Sequence, residues 1–108
     1  MKRTKSFRES LIKALKNPIE ASEYLNAVLK EGDVNLLLAA LRDVAQAQGG
    51  ITKLSRQTKL NRANLYQMLS KHGNPRIQSL ESILKVFGLK VGVLPEERFF
   101  HHRKAGLK

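Results

Sequence analysis

At 108 residues the chain fits a single domain and is too short for two independent cores. Twenty Lys+Arg against nine Asp+Glu give a net charge of +11, which calls for an anionic partner such as nucleic acid, a lipid surface or an acidic protein. The absence of cysteine excludes a disulfide scaffold, a thiolate metal site and a cysteine nucleophile, and 42% hydrophobic residues is too many for a disordered basic tail.

In chain order, residues 6–16 predict an amphipathic helix, with Phe7, Leu11, Ile12 and Leu15 on one stripe and Arg8, Lys13 and Lys16 facing away. Asn17 is suited to cap a second helix, with Pro18 at its first position and Glu20 near its positive end. Ala21, Tyr24, Leu25, Val28 and Leu29 supply the apolar stripe of that helix, and Gly32 closes it. Asp33 opens a third helix carrying Val34, Leu37, Leu38, Leu41 and Ala45, which stops at Gly49-Gly50. Two short helices follow at about 52–58 and 62–70, the second capped by Asn61, before a breaker at His72-Gly73-Asn74-Pro75. A sixth helix over 77–87 places Leu80, Ile83, Leu84 and Phe87 on one face and ends at Gly88. Leu89–Leu94 is a candidate short strand weakened by Gly92. The expected fold is all-α, a compact domain of about six helices. Its expected parts are N-terminal helices (1–32) packing on a central unit (33–92), then a mobile basic tail (93–108).

The charge is unevenly distributed. Residues 1–19 carry six basic side chains and one acid, residues 20–48 two and five, and residues 49–92 eight and one, the lone acid being Glu81. An acidic band thus separates two basic stretches. The second stretch holds the pair of short helices. Leu54, Leu60, Leu65, Met68 and Leu69 are suited to clamp them, with the small Ser55 at the point of closest approach. Helical rotation turns Leu65, Met68 and Leu69 inward and leaves Ala63, Gln67 and Ser70 outward, with Asn64 and Lys71 on the flanks and Arg62 in the first turn. Arg reads guanine through two hydrogen bonds, and Asn or Gln reads adenine, so this set has the chemistry of sequence-specific readout in a major groove.

The segment resembles a phage repressor/Cro-type (Xre-type) helix-turn-helix of the lambda-repressor-like fold. More narrowly, residues 17–92 resemble addiction-module antidote proteins related to HigA-type antitoxins. The likeness rests on Tyr24-Leu25-Asn26, on Leu38-Ala39-Ala40-Leu41-Arg42-Asp43-Val44-Ala45, on Leu60-Asn61-Arg62 and Leu65-Tyr66, and above all on Leu69-Ser70-Lys71-His72-Gly73-Asn74-Pro75-Arg76. Three positions depart from the broader pattern: Lys59 stands where glycine is usual in the turn, Ser55 replaces alanine, and Lys53 replaces glutamine.

The resemblance implies a homodimeric repressor that binds a palindromic operator in double-stranded DNA, controls its own transcription unit and neutralises a RelE/ParE-like toxin. It also implies that Arg62, Ala63, Asn64 and Gln67 face bases, and that Thr52, Lys53, Asn61, Tyr66, Lys71, Asn74 and Arg76 hold phosphates. Charge complementarity to a basic toxin assigns toxin contact to the acidic band, at Glu20, Glu23 and Glu31. Two other readings stand beside this one: a transcription regulator without a toxin, and a protein–protein adaptor docking through its basic face.

No catalytic frame, cofactor motif or metal spacing is found, since His101-His102 has no third ligand at a suitable distance along the chain. The start Met1-Lys2-Arg3-Thr4-Lys5 has the charge of an export signal, but Lys13 and Lys16 interrupt the apolar region. The uncharged apolar stretch Val34–Leu41 is short of the ~20 residues that span a bilayer. A cytoplasmic, non-enzymatic protein without a cofactor is therefore expected. The basic first helix could alternatively lie on a membrane surface, a role less economical than packing its apolar stripe on the domain.

Overall fold

A computed structural model describes residues 5–96, which form six α-helices: α1 (Lys5–Ala14), α2 (Pro18–Glu31), α3 (Val34–Ala47), α4 (Gly50–Thr58), α5 (Arg62–Met68) and α6 (Ile77–Val86). Their starts follow the local chemistry of the chain. Asn17 Oδ1 accepts from the Ile19 amide at 2.8 Å, and Pro18, which has no N–H to satisfy, occupies the first position of α2. Asp33 Oδ1 accepts from Asn35 and Leu36 at 2.9 and 3.3 Å and opens α3. Between α3 and α4 the chain turns through Gly49 and Gly50, at φ 112° and 92°, a region that side chains with a Cβ rarely adopt. The bend falls at Gly49, so α4 starts at Gly50 rather than at Thr52.

α3 lies at the centre, packed against α1, α2 and α4, while α4 also packs against α5 and α6. Leu38, Leu41, Val44 and Ala45 of α3 meet Leu15, Ala21, Leu25, Leu54, Leu65, Leu69, Ile83 and Phe87 in one continuous core. Each fully buried Leu or Phe contributes about 1.5–3 kcal/mol relative to an exposed one. Leu65 of α5 and Leu69 just after it join this core, and α5 packs against α4, which holds it on the surface.

Three sequence expectations are corrected. No strand forms at Leu89–Leu94: among the described residues no neighbouring strand is present to take its backbone bonds. The Leu89 amide instead donates to Leu84 O at 2.8 Å, finishing α6, while Val93 and Leu94 are almost fully exposed. Val34 is exposed because it occupies the first position of α3, ahead of the buried stripe. Arg8 does not face away: its Nη2 pairs with Asp43 Oδ1 at 2.8 Å and donates to Gln46 Oε1 at 3.0 Å, which binds α1 to α3. The tail expected at 93–108 lies outside the described residues from position 97 onward, as do His101 and His102.

Candidate nucleic-acid interface

The turn joining α4 to α5 is three residues long, and its geometry follows from side chains on both sides. Ser55 Oγ donates to Leu60 O at 2.6 Å, so the hydroxyl that replaces a methyl here gains a partner across the turn. Thr58 Oγ1 accepts from the Leu60 amide at 3.1 Å and donates to Leu54 O at 2.7 Å. Lys59 adopts the left-handed conformation at φ 65°, its N–H donating to Ser55 O at 2.8 Å. A non-glycine residue in this region is strained by about 1 kcal/mol. Leu54, Leu65 and Leu69 are buried, and Leu60 and Met68 pack partly buried against them, as the clamp pattern predicts.

α5 is only seven residues long, and both of its ends are held from outside. Asn61 Oδ1 accepts from Ala63 at 2.8 Å and from Asn64 at 3.3 Å, capping the start. At the other end the guanidinium of Arg42, on α3, donates to the carbonyl of Leu69 and satisfies the negative helix terminus. Ser70 Oγ donates to Gln67 O at 2.7 Å, and the Gly73 amide donates to Ser70 O at 2.8 Å. Here the backbone folds so tightly that a Cβ on Gly73 would lie 2.3 Å from Met68 O, closer than any real contact. The turn is then pinned to α3: Asn35 Oδ1 accepts from the His72 amide at 2.9 Å, and its Nδ2 lies 3.4 Å from the ring nitrogen Nδ1. His72 itself is left-handed, at φ 66°.

Around this frame, Arg62, Ala63, Asn64, Tyr66 and Gln67 are exposed while Leu65 is fully buried. Asn64, Gln67, Asn74 and Arg76 line one open groove of about 770 Å³ between α5 and the approach to α6. Arg62 and Ala63 lie at the α5 N-terminus outside that groove, and Thr52 and Lys53 are exposed on the first turn of α4. Asn61 uses its oxygen as a cap, so only its amide nitrogen is left to meet another molecule. Lys71 is exposed beside the turn. Tyr66 borders a separate cleft of about 270 Å³ with Arg42, Gln46 and Ile51. None of Lys53, Arg56, Lys59, Arg62, Lys71 or Arg76 pairs with a carboxylate among the described residues.

Residues 3–95 match the model of a protein family described as "probable addiction module antidote protein". The chain belongs to that family. An uncharacterized protein of Haemophilus influenzae (strain ATCC 51907 / DSM 11121 / KW20 / Rd) is 34% identical over 74 residues, covering 68% of this chain and 75% of its own length. No solved structure matches significantly. An antidote family is not an enzyme family, and it implies a toxin as partner.

In this antidote-family chain the acidic band is divided by the fold. Asp33 is consumed as the α3 cap, and Asp43 lies between Arg8 and Tyr24, whose hydroxyl donates to Asp43 Oδ2 at 2.7 Å. Glu20, Glu23 and Glu31 remain exposed on α2. Three structural contributors escaped the sequence patterns: Asn35, Arg42 and Arg8. Asn35 and Arg42 serve turns far away in sequence, and Arg8 resembles its lysine neighbours until α3 is seen beside it. Among the described residues no helix is long and apolar enough to cross a membrane, and no three His, Cys, Asp or Glu side chains gather to hold a metal ion.

Proposed function

We propose that this protein is a DNA-binding antitoxin: a homodimeric repressor with an Xre-type helix-turn-helix formed by α4 and α5, related to HigA-type antitoxins. One observation carries the reading. α5 exposes Arg62, Asn64 and Gln67, which have the chemistry to read bases, within a surface whose six cations form no ion pair with a carboxylate among the described residues. Arg62, Ala63, Asn64 and Gln67 meet base edges. Thr52, Lys53, Asn61, Tyr66, Lys71, Asn74 and Arg76 hold the phosphates on either side and set the register. Two copies place their α5 helices in successive major grooves about 34 Å apart on a palindromic operator. The test is footprinting over the DNA upstream of the protein's own gene. A discrete, two-fold symmetric protected site is expected, and uniform binding with no preferred site overturns the reading.

The family implies a toxin, and the exposed Glu20, Glu23 and Glu31 on α2 supply the surface that complements a basic RelE/ParE-like ribonuclease. This face lies on a different helix from the cations of α4 and α5, so DNA and toxin contact different elements. Double charge reversal, Glu20→Lys with Glu23→Lys, is expected to weaken toxin capture at least tenfold while leaving operator binding in place. Unchanged capture by the variant rules out this docking face.

A further inference from the structure

In sequence, the basic residues of the first nineteen positions are separated from those of positions 49–92 by the acidic band. In the fold the described part of the first stretch, α1, packs on α3, the helix that α4 also packs against. Two contacts set where α1 lies. Arg8 donates to Gln46 Oε1 at 3.0 Å, and Gln46 borders the same cleft as Tyr66 of α5, Ile51 of α4 and Arg42. At its other end, Gln48 Nε2 reaches the carbonyls of Leu15 and Lys16 at 3.4 and 3.3 Å, one residue before the Gly49-Gly50 turn that leads into Thr52 and Lys53. The acid that would interrupt the two stretches, Asp43, is covered by Arg8 and Tyr24, its side chain only 13% exposed. The remaining acids of the band are the α3 cap Asp33 and three glutamates on α2.

From this juxtaposition we infer that α1 is part of the DNA-binding surface. Lys5, Lys13 and Lys16, all exposed, extend the phosphate grip beyond the stretch covered by α4 and α5. On a helical projection Lys5 and Lys13 share one flank of α1, beside its partly buried Leu11 and Ile12, with Glu9 as the acid between them, and Lys16 follows in the turn that leads to α2. Lysines on a helix carry no base-edge code, so this surface adds affinity and salt sensitivity without adding sequence preference. The inference rests on the DNA-binding reading above and assigns that reading a larger footprint.

The experiment compares the full-length protein with Lys13→Gln/Lys16→Gln by measuring operator affinity across a range of salt concentrations. Each lost phosphate contact lowers the slope of log affinity against log salt by about 0.9, so the double variant is expected to lose about 1.8 per bound chain. Its preference for operator over unrelated DNA is expected to stay the same. Both lysines are exposed, so an unchanged thermal midpoint shows that the fold is intact. A wild-type slope in the variant overturns the inference while leaving the helix-turn-helix reading standing. Wild-type protein that binds no DNA overturns that underlying reading instead. Binding to phosphatidylserine vesicles that the double variant loses, with the DNA slope unmoved, reassigns α1 to a lipid surface and likewise overturns it.

Discussion

Two residues of the interface are shaped by backbone geometry more than by chemistry. Gly73 cannot carry a side chain without displacing the Met68 carbonyl, which belongs to the last turn of α5. Gly73→Ala is expected to destabilise the fold by about 2 kcal/mol and to weaken operator binding, since the end of α5 must shift to make room; chemical denaturation and a gel shift check the two effects. Lys59 presents the opposite case. Its left-handed backbone is strained, so Lys59→Gly is expected to stabilise the domain by up to about 1 kcal/mol, offset in part by the greater freedom of glycine in the unfolded chain. The same change removes a cation from the turn and should lower DNA affinity, so stability and binding move in opposite directions. At the positions proposed to read bases, Arg62→Ala and Gln67→Ala are each expected to reduce discrimination between operator and mismatched sites by about 1–3 kcal/mol, measured by competition binding.

At the scale of elements, α5 shows how far the sequence was legible. Its existence, its cap at Asn61 and its inward leucines follow from local pattern, because caps and periodicity act within one or two turns of the chain. The supports at its far end do not. Asn35 and Arg42 reach it across 37 and 27 residues, and a polar side chain on a helix gives no sign of which distant turn it will serve. Asn35→Ala is expected to lose about 1 kcal/mol and to speed amide exchange at His72, which lies far along the chain from the altered residue. The Leu89–Leu94 segment shows a different limit. An alternating apolar pattern specifies a strand only when another strand is present to pair with it, and composition alone cannot supply one. The candidate site was legible as a set of residue types in the right order. That Asn64, Gln67, Asn74 and Arg76 border one groove while Tyr66 borders another depends on the packing of α3 behind them.

For the whole molecule, the fold rearranges a charge pattern that is alternating in sequence. α1 is joined to α3 through Arg8 and Asp43, α4 packs on the same helix α3, and the acids left exposed on α2 occupy a separate helix. Lys53→Ala is expected to weaken operator and unrelated DNA by the same factor and to flatten the salt dependence by about 0.9, as measured by fluorescence anisotropy at several ionic strengths. If α5 reads DNA as proposed, its shortness also bounds how much information one copy extracts from a genome. Seven residues rise about 10 Å along a helix axis, comparable to three base pairs stacked every 3.4 Å. A three-base-pair word recurs about every 64 base pairs of random sequence, whereas two such words at fixed spacing recur about every 4,000. A lone copy would therefore find a match almost everywhere, and under the proposed function selectivity comes from pairing two copies at a set distance. Changing the spacing between the operator halves by half a helical turn should abolish recognition more completely than changing a base within either half.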